Sequence, residues 1–224
     1  MTSSCNKQGS RTEEDALLDA ARAGILAVGL RRMTLTDVAR RAGVSRMTIY
    51  RRWPDMTALV GDLMTREWGA LTRAAMDIAV GDRGVGAADY TARGARGSGA
   101  DAGSGDDAGD ARRRLVTAVV AAVRALRHHP VFRRIVELDP EVLLPYLVDR
   151  RGRSQDEMLA MMAGAIAAGA ADGSIRAGDP QVLARAVLLA AQGFVLSMST
   201  MTDGVDEAGL DDQLRLLLDR YLAP

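Results

Sequence analysis

The chain has 224 residues, with 29 Lys+Arg against 29 Asp+Glu, so its formal net charge at pH 7 is zero. Hydrophobic residues make up 48% and charged residues 26%, a balance that supports a real core and excludes global disorder. Aromatics are only 4%, Ala dominates the apolar residues, and Cys5 is the single cysteine, so helix is favoured over sheet and no disulfide framework or Cys-based zinc site can form within one chain.

Residues 1–11 read as a flexible tail without the apolar core of a signal peptide, so export is not expected and a cytoplasmic location fits. Thr12 with Asp15 predicts a capped helix whose stripe runs Leu18, Ala21, Ile25 and Val28 and stops near Gly29. Thr34 with Asp37 repeats the device, and Gly43 closes the helix it opens. Ser45 caps a short third helix through Tyr50, and Asp55 caps a fourth carrying Val60, Met64, Trp68, Leu71, Ala75 and Ile78.

Charge is concentrated in this head. Residues 22–52 hold eight arginines against Asp37 alone. Two short helices around Ala42-Gly43-Val44, the second basic and polar, have the layout of a helix-turn-helix, whose second helix enters the DNA major groove. Arg46, Met47, Thr48 and Tyr50 then project from that second helix, offering a guanidinium for guanine edges or phosphate, a hydroxyl, and a phenol for a phosphate oxygen.

Residues 33–60, MTLTDVARRAGVSRMTIYRRWPDMTALV, resemble the signature of the TetR family of transcriptional regulators. The resemblance implies that Thr34, Arg46, Met47, Thr48, Tyr50 and Arg51 match positions that touch DNA and that Trp53 packs the head. Two positions depart from the pattern: Met47 stands where a small residue is common, which favours apolar contact with a thymine methyl. Met56 replaces a lysine that often anchors phosphate, a contact left to Arg51, Arg52 or Arg32.

Beyond the head, helix 55–80 connects to residues 81–110, built from Gly, Ala, Asp, Ser and Arg and expected to be a flexible linker. The body, 111–224, opens with a helix striped by Leu115, Val116, Val119, Val120, Val123 and Leu126 that stops before His128. Adjacent His128 and His129 point apart on a helix and lack further ligands, so they read as helix-end residues and no metal or cofactor is expected. Asp139-Pro140 and Asp179-Pro180 predict N-caps, as does Ser154 with Glu157, whose helix ends at Gly173. Asp211-Asp212 reads as a solvated pair. Val182–Met201 is apolar but carries Arg185, Gln192 and three hydroxyls, so it reads as a buried bundle helix with no membrane partner. The fold class is therefore all-α: a three-helix head plus a helical body, about nine helices and no sheet.

The apolar faces of the body supply two further sets. Trp68, Val119, Val123, Phe132, Met158, Met162 and Phe194 are candidates for holding an apolar small molecule. Leu183, Val187, Ala190, Ala191 and Phe194, with Leu210, Leu214, Leu217, Leu218 and Tyr221 of the last helix, form stripes that the resemblance implies meet across a two-fold homodimer interface. The resulting expectation is a ligand-responsive repressor of a pseudo-palindromic double-stranded operator. The alternatives are a ligand-independent regulator or activator, and a helical carrier or enzyme, for which no nucleophile-base pair, metal set or phosphate loop is present.

Overall fold

A computed structural model describes residues 4–81 and 110–224. Among them are ten α-helices and no strand: α1 (Ser4–Val28), α2 (Leu35–Ala42), α3 (Arg46–Arg52), α4 (Met56–Gly81), α5 (Asp110–Arg127), α6 (Pro130–Leu138), α7 (Leu144–Val148), α8 (Arg153–Ala171), α9 (Pro180–Ser197) and α10 (Glu207–Leu222). Single 3₁₀ turns follow α6 and α9, at Pro140–Val142 and Met198–Thr200. The expected linker lies outside the described residues except for Gly81, which ends α4, and Asp110, which opens α5.

Several caps form as the side-chain chemistry requires. Thr34 and Asp37 make the reciprocal capping box of α2, Gly43 ends it at φ +71°, Ser45 accepts from the Thr48 N–H, and Asp55 accepts from the Ala58 N–H at 2.8 Å. Asp179 caps α9 through the Gln181 N–H. Three expectations need correction. Helix α1 begins at Ser4, so the expected tail is largely helical and Thr12 lies inside the helix instead of capping it. Ser154 likewise falls within α8, which starts at Arg153. Asp139 makes no side-chain cap on the turn that follows it, because its carboxylate is used elsewhere in the fold.

The chain divides into two compact units that do not follow a simple head-then-body order: Met1–Gly69 with His128–Ser154, and Ala70–Arg127 with Gln155–Pro224. In the first unit Leu17, Leu18, Ala21 and Ile25 of α1 pack with Val38 and Ala39 of α2, Ile49 of α3, Trp53, and Leu59, Val60 and Leu63 of α4. Val131 and Ile135 of α6 complete this same core. The head is thus finished by residues some way along the chain from α3, which local periodicity could not reveal.

The second unit is built around α5, whose Leu115, Val116, Val119, Val120 and Val123 meet Leu159, Met162 and Ile166 of α8, Leu183 and Val187 of α9, and Leu214 and Leu218 of α10. Asp211 is not solvated as expected. It is 4% exposed and receives both arms of Arg127, at 2.8 and 3.2 Å, because a carboxylate on the inner face of α10 is tolerated only when neutralised in place. Helix α9 with the turn after it is long and apolar enough to cross a membrane by length and composition, and of the buried bundle helix expected only one side is buried, Gln181, Val182, Arg185, Leu189, Gly193 and Ser197 being exposed.

Because Ile135 sits fully buried in the first unit, Ile135→Ala is expected to cost about 2–5 kcal/mol in urea unfolding, the range for a deleted core aliphatic. A loss below about 0.5 kcal/mol would show that α6 is not part of the head's core.

Candidate nucleic-acid interface

The outward surface of α3 is set by what the helix buries. Ile49 and Trp53 point into the core, and the Trp53 Nε1–H donates to Asp62 Oδ2 at 2.8 Å, so the end of α3 is tied to α4. Helical geometry then turns Arg46, Met47 and Tyr50 outward, with Met47 80% and Tyr50 50% exposed. A large exposed thioether at the start of a basic helix is costly in water and useful against a thymine methyl.

The arginines divide into two groups. Arg52, expected to reach phosphate, instead pairs with Glu14 of α1 and lies over the Trp53 ring at 5.6 Å. Arg40 pairs with Asp37 at 2.7 Å and Arg31 with Glu141 at 2.5 Å. Arg32, Arg41, Arg46 and Arg51 are exposed and have no carboxylate partner among the described residues. These four carry the head's positive charge that is not paired among the described residues, whereas Arg52 links α3 to α1 through Glu14.

The hydroxyls are similarly committed. Thr48 Oγ1 lies 3.0 Å from Ser45 Oγ, and Thr34 Oγ1 donates to Asp37 Oδ2 at 2.7 Å. The bonds from Thr34, with the charges of Arg40 and Arg41, hold the Asp37 carboxyl below the usual carboxylate range, so it stays an acceptor. Gly43 permits the left-handed turn between α2 and α3, and Val44 N–H closes it on Ala39 O at 3.0 Å.

The candidate ligand residues fall into two groups. Val119, Val123 and Met162 lie in the core of the second unit with Met158 and Phe194 packed against it. Trp68 and Phe132 belong to the first unit, where the Trp68 ring meets Phe132 edge-on at 5.9 Å and His129 at 5.5 Å. His129, passed over in the sequence as a helix-end residue, places Nε2 at 3.1 Å from Glu67 Oε2, and Glu67 also receives Arg22 Nε at 3.1 Å. Only its neighbour in sequence, Pro130, hinted at this position.

The stripes expected at a dimer interface are also divided. Leu183, Val187, Ala191, Leu214 and Leu218 are consumed by the second unit's own core, with Ala190 and Phe194 packed against it. Of the expected stripe residues only Leu217 and Tyr221 remain exposed and Leu210 is half-buried, while Val182 and Leu189 on α9, the latter 69% exposed, and Leu216 on α10 lie in water outside those stripes. Periodicity located both helices but could not say which side of each meets its own subunit.

Comparison with known proteins agrees with this geometry. A family model described as "Bacterial regulatory proteins, tetR family" matches residues 17–63, which span the end of α1 through the start of α4. An uncharacterised HTH-type transcriptional regulator of Mycobacterium bovis is 30% identical over 207 residues, 92% of each chain. Among solved structures, the TetR-family repressor QsdR of R. erythropolis superposes with a TM-score of 0.59 at 19% identity, covering 96% of this chain and 97% of that one. FadR of Bacillus subtilis, in complex with stearoyl-CoA, does so with a TM-score of 0.53 at 15% identity, covering 92% and 98%.

The partly buried imidazole of His129 is expected to make stability depend on pH. Burial lowers the His129 pKa, Glu67 opposes this and Arg22 reinforces it, so the folded state binds its proton later than the unfolded chain, whose value is near 6.5. Below pH 6.5 the unfolded imidazole charges first, and unfolding free energy falls as pH drops toward the folded value. Urea unfolding between about pH 7.5 and 5.5 is expected to show this loss, and His129→Gln to flatten it. An identical slope in the variant would assign the pH dependence to other groups.

Proposed function

The chain belongs to the TetR family of bacterial transcriptional regulators, and on that premise we propose that it is a homodimeric cytoplasmic repressor, released from a pseudo-palindromic operator by an apolar small molecule. The observation that carries this reading is the outward face of α3, where Arg46, Met47 and Tyr50 stand exposed over a buried Ile49 and Trp53. Family membership sets aside the enzyme and carrier alternatives.

The proposed readout has three parts. Arg46, at the start of α3, pairs with a guanine edge; Met47 packs on a thymine methyl; Tyr50, Arg51 and Arg32 hold phosphates. Thr34 and Thr48, whose hydroxyls are bonded within the head, contribute through the N-terminal geometry of their helices. Arg52 acts from behind, through Glu14.

For assembly, the exposed Val182, Leu189, Leu216, Leu217 and Tyr221 supply an apolar face that a second copy would cover. Two heads so related would meet successive major grooves, about one helical turn apart. For induction, Val119, Val123, Met158, Met162 and Phe194 offer an apolar lining, and the stearoyl-CoA bound by FadR is an example of a long apolar ligand in a protein of this fold. Helix α4, which contributes residues to both units, would carry the change. A ligand acts here only through a difference in affinity between the DNA-binding and released states, so binding by itself would not establish induction.

The test is selection of duplexes from a random-sequence library by the purified full-length chain, with nonspecific competitor present. A pseudo-palindromic winner supports the reading, and failure to enrich any sequence overturns it. On the winning duplex, Arg46→Ala is expected to cost about 1–3 kcal/mol and relax preference at one base pair per half-site. Arg51→Ala should weaken all sequences alike and lower the slope of log K against log salt by about 0.9 for each phosphate it no longer neutralises. Measured by fluorescence anisotropy at several salt concentrations, an exchange of these two phenotypes would reverse the assigned roles.

A further inference from the structure

The first unit contains a carboxylate, Asp139, that is 2% exposed and forms no ion pair among the described residues. It stands at the end of α6, and both its oxygens face the turn between α1 and α2: Oδ2 accepts from the Leu30 N–H at 2.7 Å and Oδ1 lies 3.4 Å from the Arg31 N. We propose that Asp139 is a positioning residue for DNA binding, fixing the α1–α2 turn and through it the start of α2 and the set of α3. The proposal rests on the DNA-binding reading above and adds to it a residue far from α3 in sequence.

The turn is built to receive this carboxylate. Helix α1 ends at Gly29, which takes φ +82° and donates its N–H to Ile25 O, so the next two N–H groups leave the helix side by side. Successive backbone N–H groups after a left-handed residue form a concave anion site, here filled from within the chain. Gly29 is also needed for space: a Cβ there would lie 3.0 Å from Leu138 Cδ1 and 3.3 Å from Asp139 Oδ2. Beside it, Arg31 pairs with Glu141, two residues beyond Asp139, so backbone and side chain of the same turn are held by the same segment.

What the clasp holds is close to the DNA-reading elements. Met33 N–H bonds back to Leu30 O at 3.1 Å, and Thr34 then caps α2, which packs directly on α3. A turn that loses its two acceptors leaves the buried Leu30 N–H unsatisfied and releases the first residue of α2 from a fixed position. Residues 128–154 are also joined in sequence at both ends to the second unit.

The test compares Asp139→Ala and Asp139→Asn with the wild-type chain on the duplex selected by wild type. Asp139→Ala is expected to bind about tenfold more weakly, with helicity and mass of the assembly unchanged and with the same salt slope, because no phosphate-neutralising cation is removed. Asp139→Asn, which keeps one acceptor oxygen for Leu30, is expected to recover to within about threefold. Leu159→Ala, in the core of the second unit, serves as a control with a comparable loss of melting temperature. Equal weakening by that control, or Asp139→Ala binding like wild type, would overturn the proposal. Should Asp139→Ala not fold, amide exchange decides: Leu30 N–H protected in wild type and in Asp139→Asn, with Arg31 N–H losing protection in the latter, supports the clasp. Open-chain exchange at Leu30 in the wild-type protein would remove it. Failure of wild type to select any duplex would instead count against the DNA-binding reading itself.

Discussion

A helix of seven residues has too few internal hydrogen bonds to persist in water, so α3 exists only because it is packed. Ile49 and Trp53 give it a buried side, Ser45 satisfies its N-terminus, and the Trp53 indole is tied to Asp62. Everything the protein does at DNA depends on that packing being rigid, because side chains that read base edges work only from a fixed backbone. The core beneath α3 draws on α1, α2 and α4, and also on Val131 and Ile135 of α6. The recognition surface is therefore as much a product of residues beyond 128 as of the helix-turn-helix itself.

The same economy governs charge. An arginine-rich head in a chain of zero net charge could present all its cations to DNA, but several are already engaged: Arg22 with Glu67, Arg31 with Glu141, Arg40 with Asp37, and Arg52 with Glu14. Exposed pairs of this kind contribute about 0–1 kcal/mol each to stability, so their larger effect is to fix where the remaining cations stand. Among the described residues, Arg32, Arg41, Arg46 and Arg51 remain for a polyanion. The second unit shows the stricter case, with the side chains of Arg127 and Asp211 both buried and each given a second partner, Glu207 for Arg127 and Arg124 for Asp211.

Much of this was legible in the sequence because it is local. The caps at Thr34, Ser45, Asp55 and Asp179, the stop at Gly43, and the family signature over 33–60 all depend on residues within a few positions of one another. What was not legible is long-range. Asp139 looks like an N-cap before proline and Asp211 like half of a solvated pair, and each acquires its role from a residue brought near only by folding. Likewise Arg52 is indistinguishable from Arg51 in sequence until Glu14 of α1 lies beside it. The stripes of α9 and α10 were identified as apolar, but amphipathic periodicity does not say which apolar side closes the subunit's own core and which stays in water. Leu183 and Leu189 carry the same side chain and have opposite fates.

Entry of α3 into the major groove would be reported by guanine N7 reactivity, because N7 lies in that groove alone. Dimethyl sulfate protection on a duplex selected by the full-length chain is predicted to show shielded guanines in two successive major grooves, about one helical turn apart, with shielding lost at one guanine per half-site in Arg46→Ala. Binding that leaves every guanine N7 as reactive as in free DNA would contradict the account.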